Sequence, residues 1–149
     1  MEYKVFTLAE LHDFLFYNIC RGDWDEFVLL LDTLRGRLRY FGLDGGMWLD
    51  NFYVVALDGL RVVGVLNYGV CKDSPTIEGD WHFISYVSVD GEYQGRGISK
   101  KLLAMWDEKI RRKDLGVCGC SGFTKMGFGY LRPQLLKLGV KCADYFSYQ

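Results

Sequence analysis

Between Asp90 and Lys101 the chain reads Asp-Gly-Glu-Tyr-Gln-Gly-Arg-Gly-Ile-Ser-Lys-Lys, with Gly91, Gly95 and Gly97 ahead of an apolar periodicity that begins at Ile98. This is the pattern of a strand end, a glycine turn and a helix start. The first amides of a helix have no intrahelical acceptor, and the aligned peptide dipoles leave partial positive charge there, so such a turn can take a diphosphate on its backbone. Arg96, Lys100 and Lys101 crowd this end of the helix, where the dipole favours acids. An anionic ligand turns that local penalty into attraction, whereas without one the cations form a solvated face. Arg111, Arg112 and Lys113 at the far end simply match the dipole. No Gly-x-x-x-x-Gly-Lys-Ser/Thr run occurs and Gly95-x-Gly97 lacks a third glycine, which sets aside P-loop hydrolysis and dinucleotide-dependent hydride transfer.

The elements that must hold this turn follow from periodicity. Thr7-Leu8-Ala9-Glu10 has the form of a capping box, and Leu11, Leu15 and Ile19 continue at helical spacing. A second helix is expected from Asp23-Trp24-Asp25-Glu26 through Leu38, stopped by Gly42. Residues Phe52 to Val70 are mostly β-branched, aliphatic or aromatic on both sides of Asp58-Gly59, which predicts two antiparallel strands around a two-residue turn. Cys71 to Asp80 reads as a loop and Trp81 to Val89 as a third, central strand. Ile98, Leu102, Met105, Trp106 and Ile110 mark a long amphipathic helix. Val117–Ser121 is expected as a buried strand, Leu135–Leu138 as a short helix ended by Gly139, and Cys142–Tyr148 as a closing strand. Helices alternating with hairpins and single strands imply an α/β or α+β sheet with helices on its faces.

Composition narrows the function classes. The 149 residues are 50% hydrophobic and 16% aromatic with two prolines, the material of one ordinary core and the opposite of a disordered chain. Eighteen basic and 19 acidic side chains give a net charge of −1, which disfavours a nucleic-acid partner and leaves any basic site local. No apolar run reaches the roughly 20 residues of a membrane span, and Met1-Glu2-Tyr3-Lys4 has no signal-peptide organisation, so a cytoplasmic protein without a membrane partner is expected. The five cysteines, Cys20, Cys71, Cys118, Cys120 and Cys142, are odd in number and unpaired in spacing; they read as reduced, buried thiols with no metal role.

The run Gln94-Gly95-Arg96-Gly97-Ile98-Ser99, preceded by Val89 and Tyr93, resembles the acyl-CoA signature Gln/Arg-x-x-Gly-x-Gly/Ala of the GNAT superfamily of N-acetyltransferases, with Ser99 in place of the usual glycine or alanine. In that family the run joins the fourth strand to the third helix. The likeness extends over essentially the whole chain, read as a single domain of residues 1–149, and Lys137-Leu138-Gly139-Val140 looks like the family's Lys-x-Gly-Phe. The resemblance implies a GNAT fold: a central mixed, mostly antiparallel sheet flanked by helices, with splayed central strands. It implies acetyl-CoA as cosubstrate, a primary amine of a small molecule or peptide as acceptor, and a monomer or homodimer.

By the same resemblance Gln94, Gly95, Arg96, Gly97, Ile98, Ser99 and Lys100 would hold the pyrophosphate. Strand residues Tyr86 to Val89, Val87 and Val89 among them, would pair with the pantetheine arm and polarise the thioester. The family's strand-four glutamate falls on Phe83, so His82, Glu78 and Asp80 are the base candidates. The family's acidic tyrosine and its asparagine fall on Leu135 and Phe128, leaving nearby Tyr130 as the acid candidate. Trp24, Tyr40, Trp48, Tyr53 and Trp81, with Asp44, Asp50, Glu78 and Asp80, could line a pocket for a cationic amine. The missing Asn and Tyr keep a second reading open, a catalytically silent GNAT-fold binding or structural protein of the kind found in bacteriophages.

Overall fold

A computed structural model of the chain describes residues 1–19, 48–59, 61–72, 80–120, 123 and 125–144. The elements are β1 (Glu2–Thr7), α1 (Leu8–Ile19), β2 (Trp48–Asp58), β3 (Arg61–Lys72), β4 (Trp81–Val89), α2 (Ile98–Met105), β5 (Gly119–Cys120) and α3 (Lys125–Lys137). Among the described residues they build a mixed, mostly antiparallel sheet in the strand order β1-β2-β3-β4-β5, with β4 and β5 parallel and the other neighbours antiparallel.

Alternation along the strands splits the core into two layers. Tyr53, Val55 and Leu57 of β2 point toward Phe6 and Leu11 on the α1 side. Val54 and Ala56 point the other way, toward Ile98, Leu102, Leu103 and Trp106 of the second helix and Leu135 of the third. The capping box at the start of α1 forms both of its bonds, Thr7 N–H to Glu10 Oε1 (3.1 Å) and Glu10 N–H to Thr7 Oγ1 (3.2 Å). No helix among the described residues is long and apolar enough to cross a membrane.

Several expectations are revised. Strand β1 precedes α1 and pairs along its whole length with β2; its six residues alternate Glu2 and Lys4 outward with Tyr3 and Val5 inward, too short a run to stand out beside the capping box. The hairpin register pairs Asp58 with Arg61, so Asp58 belongs to the strand and the turn begins at Gly59, at φ +62°. The amphipathic helix widens into a π-turn over Trp106–Ile110. Among the described residues β5 covers Gly119–Cys120, with Val117 and Cys118 outside it and residue 121 beyond the description, and Lys141 adds a parallel bridge to Gly119 while Cys142–Asp144 form no strand; residues 145–149 lie outside the described residues. Helix α3 begins ten residues before Leu135 and runs through Pro133. Proline removes a helical bond at a cost of about 3 kcal/mol, and here Phe128, Leu131, Leu135 and Leu138, at i, i+3, i+7 and i+10, pack on the core and outweigh it. The helix expected from Asp23 to Leu38 lies outside the described residues.

One glycine sets the height of α2 above the sheet. A Cβ on Gly64 of β3 would lie 2.9 Å from Ile98 Cγ2 and 3.3 Å from Leu102 Cδ1, so the first turn of α2 rests directly on β3 backbone. Gly64→Val is therefore expected to lift that turn and destabilise the protein by about 1–3 kcal/mol. Denaturant unfolding checks this, and an unchanged midpoint would contradict the seating of α2.

Candidate functional site

The connection from β4 to α2 is built by local hydrogen bonds that end where the helix begins. Asp90 opens a short 3₁₀ turn, Gly91–Tyr93, and its Oδ1 accepts from Glu92 N–H at 3.1 Å. Tyr93 N–H reaches Asp90 O at 2.8 Å, Gln94 N–H reaches Gly91 O at 3.4 Å, and Gln94 Nε2 returns to Val89 O at 3.3 Å. Gly95 and Gly97 then take φ of +78° and +77°, a region only glycine enters without strain. Gly97 is the N-cap of α2, makes no side-chain capping bond, and is followed by a first turn without acidic residues. The first main-chain bond into the helix is Lys101 N–H to Gly97 O, 3.1 Å. Among the described residues the amides from Gly95 to Lys100 find no acceptor. Gln94 through Gly97 are exposed, so those amides can receive an anion from solvent.

The cations beside the turn differ in their commitments. Lys101 Nζ sits 6.0 Å from the Tyr3 ring of β1, and the Arg96 guanidinium lies 4.7 Å from the Tyr93 ring. Lys100 is exposed and has no ion-pair partner among the described residues. Below the turn, Arg61 at the start of β3 contacts Asp90 Oδ2 (3.0 Å) and Glu92 Oε2 (3.6 Å), and its guanidinium lies 5.5 Å from the same Tyr93 ring. The Tyr93 hydroxyl donates to Asp58 Oδ2 across the hairpin end.

Among the described residues the turn lies at the end of an open strand edge. There β4 and β5 pair at Phe83 with Gly119 and at Ile84 with Cys120, and no other described pair joins them. The next residue, Ser85, is an extra residue in β4, since Asn67 faces Tyr86 while Tyr68 faces Ile84. Ser85 Oγ donates to Asn67 Oδ1, and Asn67 Nδ2 donates to Phe52 O of β2 at 3.2 Å, so fully buried Asn67 ties three strands at the bulge. Beyond it, Asp90 N–H donates to Val63 O at 2.8 Å. Hydrogen-bonded pairs alternate along an antiparallel ladder, so Tyr86 and Ser88 face β3 with their backbone groups, and Val87 and Val89 turn theirs to the opposite edge. No described strand pairs with that edge beyond Ile84. Asn67 and Ser85 were missed in the sequence; the one signal was a lone amide in the apolar run of β3.

The remaining candidates do not converge. His82 is buried, and its ring is held at both nitrogens. Gly116 O can only accept, so Nε2–H donates to it (2.8 Å), and Nδ1 accepts from the Tyr68 hydroxyl (2.6 Å), which itself accepts from Arg112 N–H (3.0 Å). Neither nitrogen is left for an incoming group. Tyr130 on α3 is 75% exposed. Glu78, with Trp24, Tyr40 and Asp44, lies outside the described residues. Tyr53 is core beneath α1, while Trp81 stacks on Phe83 at 4.8 Å. Burial pushes the thiols of Cys118 and Cys120 up to about 12, which leaves them poor nucleophiles.

A family model described as "Acetyltransferase (GNAT) family" matches residues 16–120. Among curated proteins there is no match. Similar solved structures include an aminoglycoside acetyltransferase from an uncultured soil metagenomic sample, 16% identical with a TM-score of 0.59, covering 99% of this chain and 95% of that one. A ribosomal-protein-alanine N-acetyltransferase from Brucella melitensis biovar Abortus 2308 is 15% identical at TM-score 0.54, with 100% and 98% coverage. A GCN5-related N-acetyltransferase from Ralstonia eutropha JMP134 is 17% identical at 0.55, with 99% and 97%. At these identities the structural likeness speaks to the fold.

Burial pushes the Tyr68 phenol up to about 12 from 10.0, so its neutral form is favoured in the folded state. The stability this contributes is present below about pH 10 and is lost as pH rises through 12. Tyr68→Phe strands His82 Nδ1 and the Arg112 amide and is expected to cost about 1–3 kcal/mol at neutral pH, while flattening the alkaline decline between 10 and 12. Unfolding measured against pH checks both; a variant as stable as the parent would contradict the network.

Proposed function

The chain belongs to the GNAT acetyltransferase family, and from that premise we propose that it transfers an acetyl group from acetyl-CoA to a primary amine. The observation that carries the reading is the set of amides from Gly95 to Lys100 that find no acceptor among the described residues, beside a β4 edge that no described strand covers beyond Ile84. In this proposal those amides take the CoA pyrophosphate, with Lys100 adding charge at the exposed side. The pantetheine arm lies along β4 and exchanges hydrogen bonds with the backbone of Val87 and Val89 as a further strand would. The thioester then reaches the bulge at Ser85, where β4 and β5 part.

The amine nitrogen attacks the thioester carbon, the C–S bond breaks, and its electron pair leaves on the CoA sulfur. The amine's proton passes to water in this scheme, because His82 is engaged at both nitrogens and serves to position the loop at Gly116. Tyr130, exposed on α3, is the side chain assigned to reprotonate the leaving thiolate. A binding-only reading draws on Leu135 and Phe128, which pack on the core at the positions where the family resemblance would put a tyrosine and an asparagine.

The test is CoA release from acetyl-CoA with a panel of amines that includes an aminoglycoside and a peptide beginning with alanine. Turnover supports the transferase; a rise in Tm with acetyl-CoA but no release with any amine supports binding alone. Gly97→Val places a β-branched residue at φ +77° where its Cβ meets nothing within 4 Å. The fold should persist while CoA affinity drops about tenfold or more, as read by calorimetry. Unchanged affinity would count against the turn as the phosphate site.

A further inference from the structure

We infer that Arg61, at the tip of the β2–β3 hairpin and remote in sequence from the glycine turn, is a positioning residue that aims the turn's amides at the acyl donor. The inference rests on the proposed role of that turn. The amides from Gly95 to Lys100 follow two glycines at positive φ, and the helix N-cap has no side chain to anchor it. Glycine backbone of this kind is conformationally permissive, so its direction must be imposed from the residues just before it.

The hairpin tip supplies two attachments to those residues. Arg61 holds Asp90 through Nη2 at 3.0 Å and Glu92 through Nη1 at 3.6 Å, and Tyr93 donates its hydroxyl to Asp58. Asp58 and Arg61 are a register pair at the hairpin's end, so two paired residues hold both ends of the 3₁₀ turn. The Tyr93 ring is then covered by Arg61 at 5.5 Å and by Arg96 at 4.7 Å. This stack parks the Arg96 guanidinium beside the turn at the residue between the two positive-φ glycines. Arg61 is committed to carboxylates and an aromatic face, so its effect on an anionic ligand passes through the turn.

The experiment compares CoA binding by calorimetry in the full chain and in Arg61→Ala, Arg61→Lys, Tyr93→Phe and Lys4→Ala, with Tm measured for each. Lys4→Ala removes another exposed ion pair, with Glu2 on β1, and serves as the control. The expected result is CoA affinity about fivefold weaker in Arg61→Ala, partial recovery in Arg61→Lys, and unchanged affinity in Lys4→Ala. Tyr93→Phe carries no change in charge, yet it releases the second attachment and should also weaken binding. Loss in Arg61→Ala with full affinity in Tyr93→Phe would overturn positioning in favour of direct charge attraction. Parental affinity in Arg61→Ala would overturn the inference while leaving the turn's role intact. A parent chain that binds no CoA would remove both.

Discussion

A helix that starts in solvent must find acceptors for its first N–H groups, and α2 finds none within the described chain. Asp and Ser, the residues that usually cap a helix, are replaced at its N-cap by Gly97, and the first turn holds lysines where acids would be favoured. Each choice weakens the isolated helix by a few tenths of a kcal/mol to about 1 kcal/mol. Together they make sense if the missing partner is an anion from outside. Ile98, Leu102, Leu103 and Trp106, all buried, hold the helix in place without help from its own N-terminus.

The second constraint is the break in pairing along β4. Among the described residues the parallel pairing of β4 with β5 reaches Ile84 and Cys120, and the extra residue Ser85 follows at once. A bulge increases local twist and disrupts pairing, so the same feature that ends the ladder exposes the next edge. Buried Asn67 makes that bulge stable, because its amide satisfies Ser85 on one side and Phe52 on the other. The glycine turn at one end and the bulge at the other bound a stretch of main-chain groups, where side-chain identity is weakly constrained. A family can therefore diverge far in sequence and keep it.

Elements fixed by local signals are legible in the sequence. The capping box at Thr7 and Glu10, the strand Trp81–Val89 and the helix start at Ile98 all depend on neighbours within four residues, and each stands where the pattern put it. The hairpin turn was misplaced by one residue, because Asp-Gly is a favoured turn pair while the pairing of Asp58 with Arg61 set the register. Helix α3 runs from Lys125 through Pro133, well ahead of the Leu135 start that the local pattern shows, because burial of Phe128 and Leu135 outweighs the proline's local cost. Contacts between residues distant in sequence had no local trace. The Ser85–Asn67 tie spans 18 residues, the Arg61–Asp90 tie 29 and the His82–Gly116 bond 34. His82 accordingly read as a candidate base when its surroundings make it a structural group.

The most direct measurement is a titration of CoA into ¹⁵N-labelled protein, following backbone amide resonances. The account predicts that the amides of Gly95 to Lys100 shift most, joined by those of Val87 and Val89. Shifts confined to another part of the chain, with these amides unmoved, would contradict it.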